Sequence, residues 1–159
     1  MSNRAIWQAA LGAASPYNWQ SAFGTEINSL AAGSYALSSV ILDNTTDLLT
    51  DLWISLALGS VATGAGAPNL AFFLQQLNQD GSTYGDGYAS GTLIPVQNYI
   101  GSIGWPASQA AAALTGNLKV SIELPPNKFK LGVVNNIGNA LNSAGNTISA
   151  AFNTFNLNG

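Results

Sequence analysis

Histidine and cysteine are absent from this chain of 159 residues, and charge is scarce, with four Lys and Arg against seven Asp and Glu, or 7% of the residues. Without imidazole or thiol there is no ordinary nucleophile–base pair and no soft metal ligand. Disulfide scaffolds are excluded for the same reason. Soluble domains normally carry about 25% charged residues, and mixed charge keeps their surfaces from associating. A chain this neutral is expected to hide much of its surface in a larger assembly. Only Arg4, Lys119, Lys128 and Lys130 are basic, too few to track a phosphate backbone, so no nucleic-acid partner is expected. Long apolar runs are missing too. The nearest, residues 48–62, contains Asp51 and alternates with a strand period, well short of the roughly 20 apolar residues of a membrane span. Arg4 followed by Ala5–Ser15 imitates a signal peptide, but its apolar stretch is short and broken by Gln8, so no cleaved leader and no membrane partner are expected.

The polar share comes instead from neutral residues: 17 Gly, 17 Asn, and many Ser and Thr. These favour turns and are poor helix formers. The length suits one domain. Together they predict an all-β domain with many loops.

Residues 1–28 stand apart. Trp7, Pro16, Tyr17, Trp19 and Phe23 follow no clean period, as expected of an extended N-terminal arm packing on something else. A short helix over Ala5–Ala13 is the local expectation there. From Ser29 the chain reads as successive strands over 29–159. Tyr35–Leu42 is a continuous apolar stretch closed by Asp43-Asn44-Thr45-Thr46. Asp47–Leu58 alternates, with Leu48, Leu52, Ile54, Leu56 and Leu58 on one face. Asn69–Leu77 is a strand whose apolar run also reads as a buried helical turn. Thr92–Gln97 is an edge strand broken at Pro95, Tyr99–Ile103 another short strand, and Ala107–Ala113 one helical turn. Asn117–Leu124 and Lys128–Asn135 alternate around the corner Pro125-Pro126-Asn127, with Phe129, Leu131 and Val133 inward. Thr147–Phe155 is the last strand. Short strands with turns between them predict a single jelly-roll-like β-sandwich.

Candidate chemistry is thin. Asp43, Asp47 and Asp51 recur every fourth residue, but glycoside hydrolysis needs two carboxylates converging on a sugar, and turn or solvent-face acids explain them better. Asp80–Gly87 resembles a calcium loop until position 5 falls on Tyr84 and position 12 on Gly91. Gly59–Gly66 lacks the Gly-Lys-Ser/Thr of a phosphate loop. Trp7, Trp19, Trp53, Tyr84, Tyr88 and Trp105 suit a sugar-stacking platform, yet aromatics more often serve as core or interface anchors. No catalytic residue, metal site or cofactor is expected.

Five stretches in order resemble a family of small tailed-bacteriophage capsid decoration or cement proteins. They are Ser29–Ser39, Leu42–Leu48, Asp80–Gly87, Leu124–Leu131, and Asn135-Asn136 through Ser143–Thr147, spanning about residues 29–150. The resemblance implies a β-sandwich that assembles as a homotrimer on the outer capsid surface of the virion, bridging neighbouring copies of the major capsid protein. It carries no catalytic residues. The long aromatic N-terminus and the stretch Pro106–Ala113 depart from the family's pattern. Within the arm, Ile6, Trp7, Leu11, Tyr17 and Trp19 are the residues expected to grip a neighbouring subunit. The alternatives are a phage tail or fibre component, or a carbohydrate-binding β-sandwich module. A hydrolase ranks last.

Overall fold

Alternating apolar residues separated by Gly, Asn and Pro leave strands as the way to satisfy the backbone, and strands are what form. The computed structural model describes residues 4–9, 19–45, 51–84, 99–120 and 127–158, with 4–9 and 152–158 described as backbone. Ten strands follow one another: β1 (Arg4–Ala9), β2 (Gln20–Ser21), β3 (Tyr35–Leu37), β4 (Leu42–Asp43), β5 (Asp51–Val61), β6 (Asn69–Gln76), β7 (Tyr99–Gly104), β8 (Ala112–Val120), β9 (Lys128–Asn135) and β10 (Thr147–Asn158). Among the described residues there is no helix.

The strands build two antiparallel sheets. The first has the order β1-β10-β5-β8, with β2 also on β10; the second has β3-β9-β6-β7, with β4 also on β9. Pairing is nested along the chain: β1 and β2 with β10, β3 and β4 with β9, β5 with β8, and β6 with β7. Leu52, Ile54 and Ile148 from the first sheet share one core with Leu70, Phe72, Phe129, Leu131 and Val133 from the second. The all-β sandwich is therefore as the sequence predicts.

In β5 the alternation is literal. Leu52, Ile54, Leu56 and Leu58 are buried, while Asp51, Trp53, Ser55 and Ala57 lie on the outer face. Burying each aliphatic side chain contributes roughly 1.5–3 kcal/mol before entropy is counted. Leu48 lies outside the described residues. β6 is buried on both faces, which explains its unbroken apolar run. Leu70, Phe72 and Leu74 face the core, and Ala71 and Phe73 join Tyr35 and Val134 in a second cluster on the other side.

Several local expectations are corrected. Ala5–Ala9 is strand and not helix, because Arg4–Ala9 pairs residue by residue with Asn153–Asn158, and the remainder of the expected helix to Ala13 lies outside the described residues. Ala107–Ala113 is not a helical turn: a turn at 107–108 leads into β8, which begins at Ala112. Tyr35–Leu42 is not continuous. The Ser38 hydroxyl donates to the Ala22 carbonyl and accepts the Val40 amide, breaking the ladder between β3 and β4. Packing also marks no boundary at residue 28, since Ala22, Phe23 and Ile27 lie in the shared core. Thr92–Gln97 lies outside the described residues.

Candidate functional site

Among the described residues this fold presents surfaces and open grooves. The first is the terminal ribbon. Residues 147–153 of β10 pair with β5, and residues 153–158 pair with β1. Ile6 stands opposite Asn156 and Trp7 opposite Phe155. Ala5, Trp7, Phe155 and Leu157 occupy register positions on one face of the ribbon, because side-chain parity alternates along paired strands. Leu11 and Tyr17 lie outside the described residues. Trp19 precedes β2 and is exposed. The structure thus places Ile6 and Trp7 on an edge strand and Trp19 beside a second edge segment on the same partner strand, without bringing the five arm residues into one described cluster.

The second surface is the outer face of the second sheet. Tyr35, Phe73 and Tyr99 form a row of edge-on rings, with centroids 6.4 Å and 5.7 Å apart. Gly132 is required beneath it, because a Cβ there would collide with the Tyr35 ring and hydroxyl. Burial pushes the Tyr35 phenol up to about 12. Gln75 lies near enough to oppose that rise, but without hydrogen-bond geometry, so the phenol and both Gln75 amide atoms stay unpartnered. The row was illegible in sequence, since Phe72 and Phe73 are adjacent and only the register decides which one faces out.

Of the predicted aromatic platform, Trp53, Tyr84 and Trp105 do not come together, and Tyr88 lies outside the described residues. Trp53 lies on the outer face of the first sheet with the Lys119 ammonium 5.6 Å from its ring. Tyr84 stands by the second sheet under Lys130, at 4.9 Å. Trp105 packs against the core and donates its indole N–H to the Thr115 carbonyl on β8. Beside it, Pro106, Ala110, Ala112 and Leu114 line an open groove of about 530 Å³.

The acidic loop is a turn. Both backbone amides of Ser82 and Thr83 donate to one Asp80 carboxylate oxygen at 2.9 Å, and the Thr83 hydroxyl donates to the other. Among the described residues no three His, Cys, Asp or Glu side chains converge as metal ligands. The Thr83 hydroxyl, then the two amides, hold the Asp80 carboxyl down at about 2. Its usual value is near 3.9. The contribution of this turn to stability is therefore present above about pH 4 and lost as pH falls towards 2. A carbon-detected NMR titration is expected to give Asp80 a midpoint near 2, and Asp80→Asn is expected to abolish that share of the acid dependence. A midpoint near 4 would mean the loop is open in solution.

The third surface is one end of the sandwich, made by residues 22–34, 62–68, 105–111 and 136–146. Neutral side chains bind these loops together. Asn135 donates to the Leu30 and Asn139 carbonyls and accepts the Ile137 amide. Asn146 donates to Asn28 and to the Asn142 carbonyl, and accepts the Gly59 amide. Thr63 donates to the Pro106 carbonyl and accepts the Gln109 amide. Gly64 lies against Gly138 so closely that a side chain on either would strike the other backbone. Within the Gly59–Gly66 stretch Gly59 and Gly64 are thus packed against protein, while Ala65 and Gly66 are exposed. Glu26 is the lone ionisable residue of this end. Burial pushes its carboxyl up, but hydrogen bonds from Ser39 and neighbouring amides outweigh that and leave it below its ordinary value.

The chain matches no family model and no curated protein. The reading of its function rests on the surfaces themselves. Among the described residues, no helix is long and apolar enough to cross a membrane.

Proposed function

We propose that this chain is a structural virion protein that decorates and cements a bacteriophage capsid, as a homotrimer bridging neighbouring copies of the major capsid protein. The sandwich is read as a jelly roll, and the nested pairing supports this, since first strands meet last and the middle two meet each other. One observation carries the functional reading. The buried Ser38, Thr63, Asn135 and Asn146 side chains are committed to fastening loops, and the surfaces left over among the described residues are broad, poor in charge and without a reactive constellation. Such surfaces suit contacts of the standard 1,200–2,000 Å², and repetition around a trimer adds avidity. In this reading Ile6, Trp7, Leu11, Tyr17 and Trp19 grip an adjacent subunit. Removing residues 2–23 would also take β1, β2, Ala22 and Phe23 from the sandwich, so the arm is better probed by Trp7→Ser and Trp19→Ser.

Quantitative mass spectrometry of purified virions tests the proposal. Hundreds of copies per particle are expected. A few tens would transfer the protein to the tail or fibre, and none would overturn the virion assignment. A second reading, carbohydrate binding, draws on Tyr99, which is 53% exposed at the open end of the aromatic row. Glycan-array binding that disappears in Tyr99→Ala would favour it over cementing.

A further inference from the structure

Charge is segregated along the sandwich. Asp43, Asp51, Asp80, Lys119, Lys128 and Lys130 all lie on strands or turns towards one end. Asp47, Asp86 and Glu123 lie outside the described residues. Arg4 pairs with Asn158 at the tip of the terminal ribbon. The opposite end, formed by the four loops that Asn135, Asn146 and Thr63 tie together, carries Glu26 alone, half-buried and held by the Ser39 amide at 2.6 Å.

About two dozen residues of that end are exposed, none of them charged, and more than half are Ala or Gly. A standard interface engages about 20–30 residues a side. Ala and Gly lose no rotamer freedom when covered, and a face without charges leaves no ion to be desolvated. A free surface is expected to carry the opposite composition, since charge is what keeps domains soluble.

We infer that this end is the contact by which one copy of the chain meets another. Residues nearest the rotation axis of a symmetric assembly meet their own copies, so a charge there would face a like charge, and like-charge juxtaposition costs several kcal/mol. The charges of the other end would carry that cost in such a contact. The uncharged end would not. The inference shares with the cement reading the claim that the chain self-associates, and it is independent of the capsid.

Sedimentation equilibrium of the full chain is the test. Wild type is expected to assemble with an affinity that barely changes with salt, since no exposed charge is there to screen. Ala107→Glu combined with Ala140→Glu is expected to weaken association by about tenfold or more. The same two positions as Lys should weaken it equally, and mixing the Glu and Lys proteins should restore it. Gln76→Glu, at the charged end, should leave it unchanged. All three positions are exposed, so unfolding midpoints matching wild type show that assembly alone has changed. Full association of the Glu variant, or no restoration on mixing, would overturn the assignment of this face while leaving self-association intact. A wild-type monomer at every concentration would overturn both. Neither result alters the virion copy number, which tests the capsid reading separately.

Discussion

Phe72→Ala is expected to destabilise the fold by about 3–5 kcal/mol, the usual cost of emptying a phenylalanine site in a packed core. Phe72 is fully buried between the two sheets. It stands opposite Val133 on β9 and Gly101 on β7, at the centre of the second sheet, where neighbours on both sides limit collapse into the cavity. In a domain of this size about 1 kcal/mol moves the melting temperature by roughly 2–4 °C, so a fall of about 6–20 °C should be seen by calorimetry. The exposed Ile41 provides the contrast, and Ile41→Ala should stay within about 0.5 kcal/mol. The experiment also reads the register. A slip of one residue would exchange Phe72 and Phe73 between core and outer face. Near-neutral Phe72→Ala together with severe Phe73→Ala would show that β6 pairs with β9 one residue out.

That ambiguity marks the limit of what the residues disclose by pattern. Where one face of a strand is partly wet, the order of residues is enough: Leu52, Ile54, Leu56 and Leu58 announce β5, and Phe129 and Leu131 flanking Lys130 announce the start of β9. Where both faces are covered, alternation vanishes and Leu70–Leu74 reads equally as helix or strand. β1 was hidden for a different reason. Arg4–Ala9 has Ala-rich local chemistry, and its strand conformation is imposed by pairing with the far end of the chain, a tertiary override of weak local preference. The break between β3 and β4 depends on Ser38 reaching Ala22, sixteen residues away, which no local window contains.

The candidate surfaces were less legible than the fold. Eleven charges spaced through 159 residues look evenly thin. Their segregation emerges only once the topology assigns 22–34, 62–68, 105–111 and 136–146 to one end. The abundance of Asn was visible from the start, but its use was not. An Asn in a loop ordinarily signals a turn, whereas Asn135 and Asn146 are buried fasteners between loops distant in sequence.

Asn135→Leu should therefore be as damaging as many core deletions, at about 2–4 kcal/mol, although it replaces a polar side chain with an apolar one of similar size in a fully buried site. Three hydrogen bonds converge on this amide, at 2.8 Å to the Leu30 carbonyl, 2.9 Å to the Asn139 carbonyl and 3.0 Å from the Ile137 amide. Removing it strands the Ile137 amide and the Asn139 carbonyl, while the Leu30 carbonyl keeps the Leu141 amide, and each buried orphan costs about 1–3 kcal/mol. The gain from added apolar burial is smaller, since the new side chain must fit a space shaped by the Leu30 and Asn139 backbones. Chemical denaturation measures the total. Hydrogen exchange localises it, with the Ile137 and Leu141 amides expected to lose protection ahead of the core of β5. Asn117→Ser, on the exposed face of β8, is the control and should cost less than about 0.5 kcal/mol. If Asn135→Leu proved equally mild, the loops would be held by their apolar anchors Ile27, Ile137 and Leu141, and the uncharged end would have no need of its asparagines.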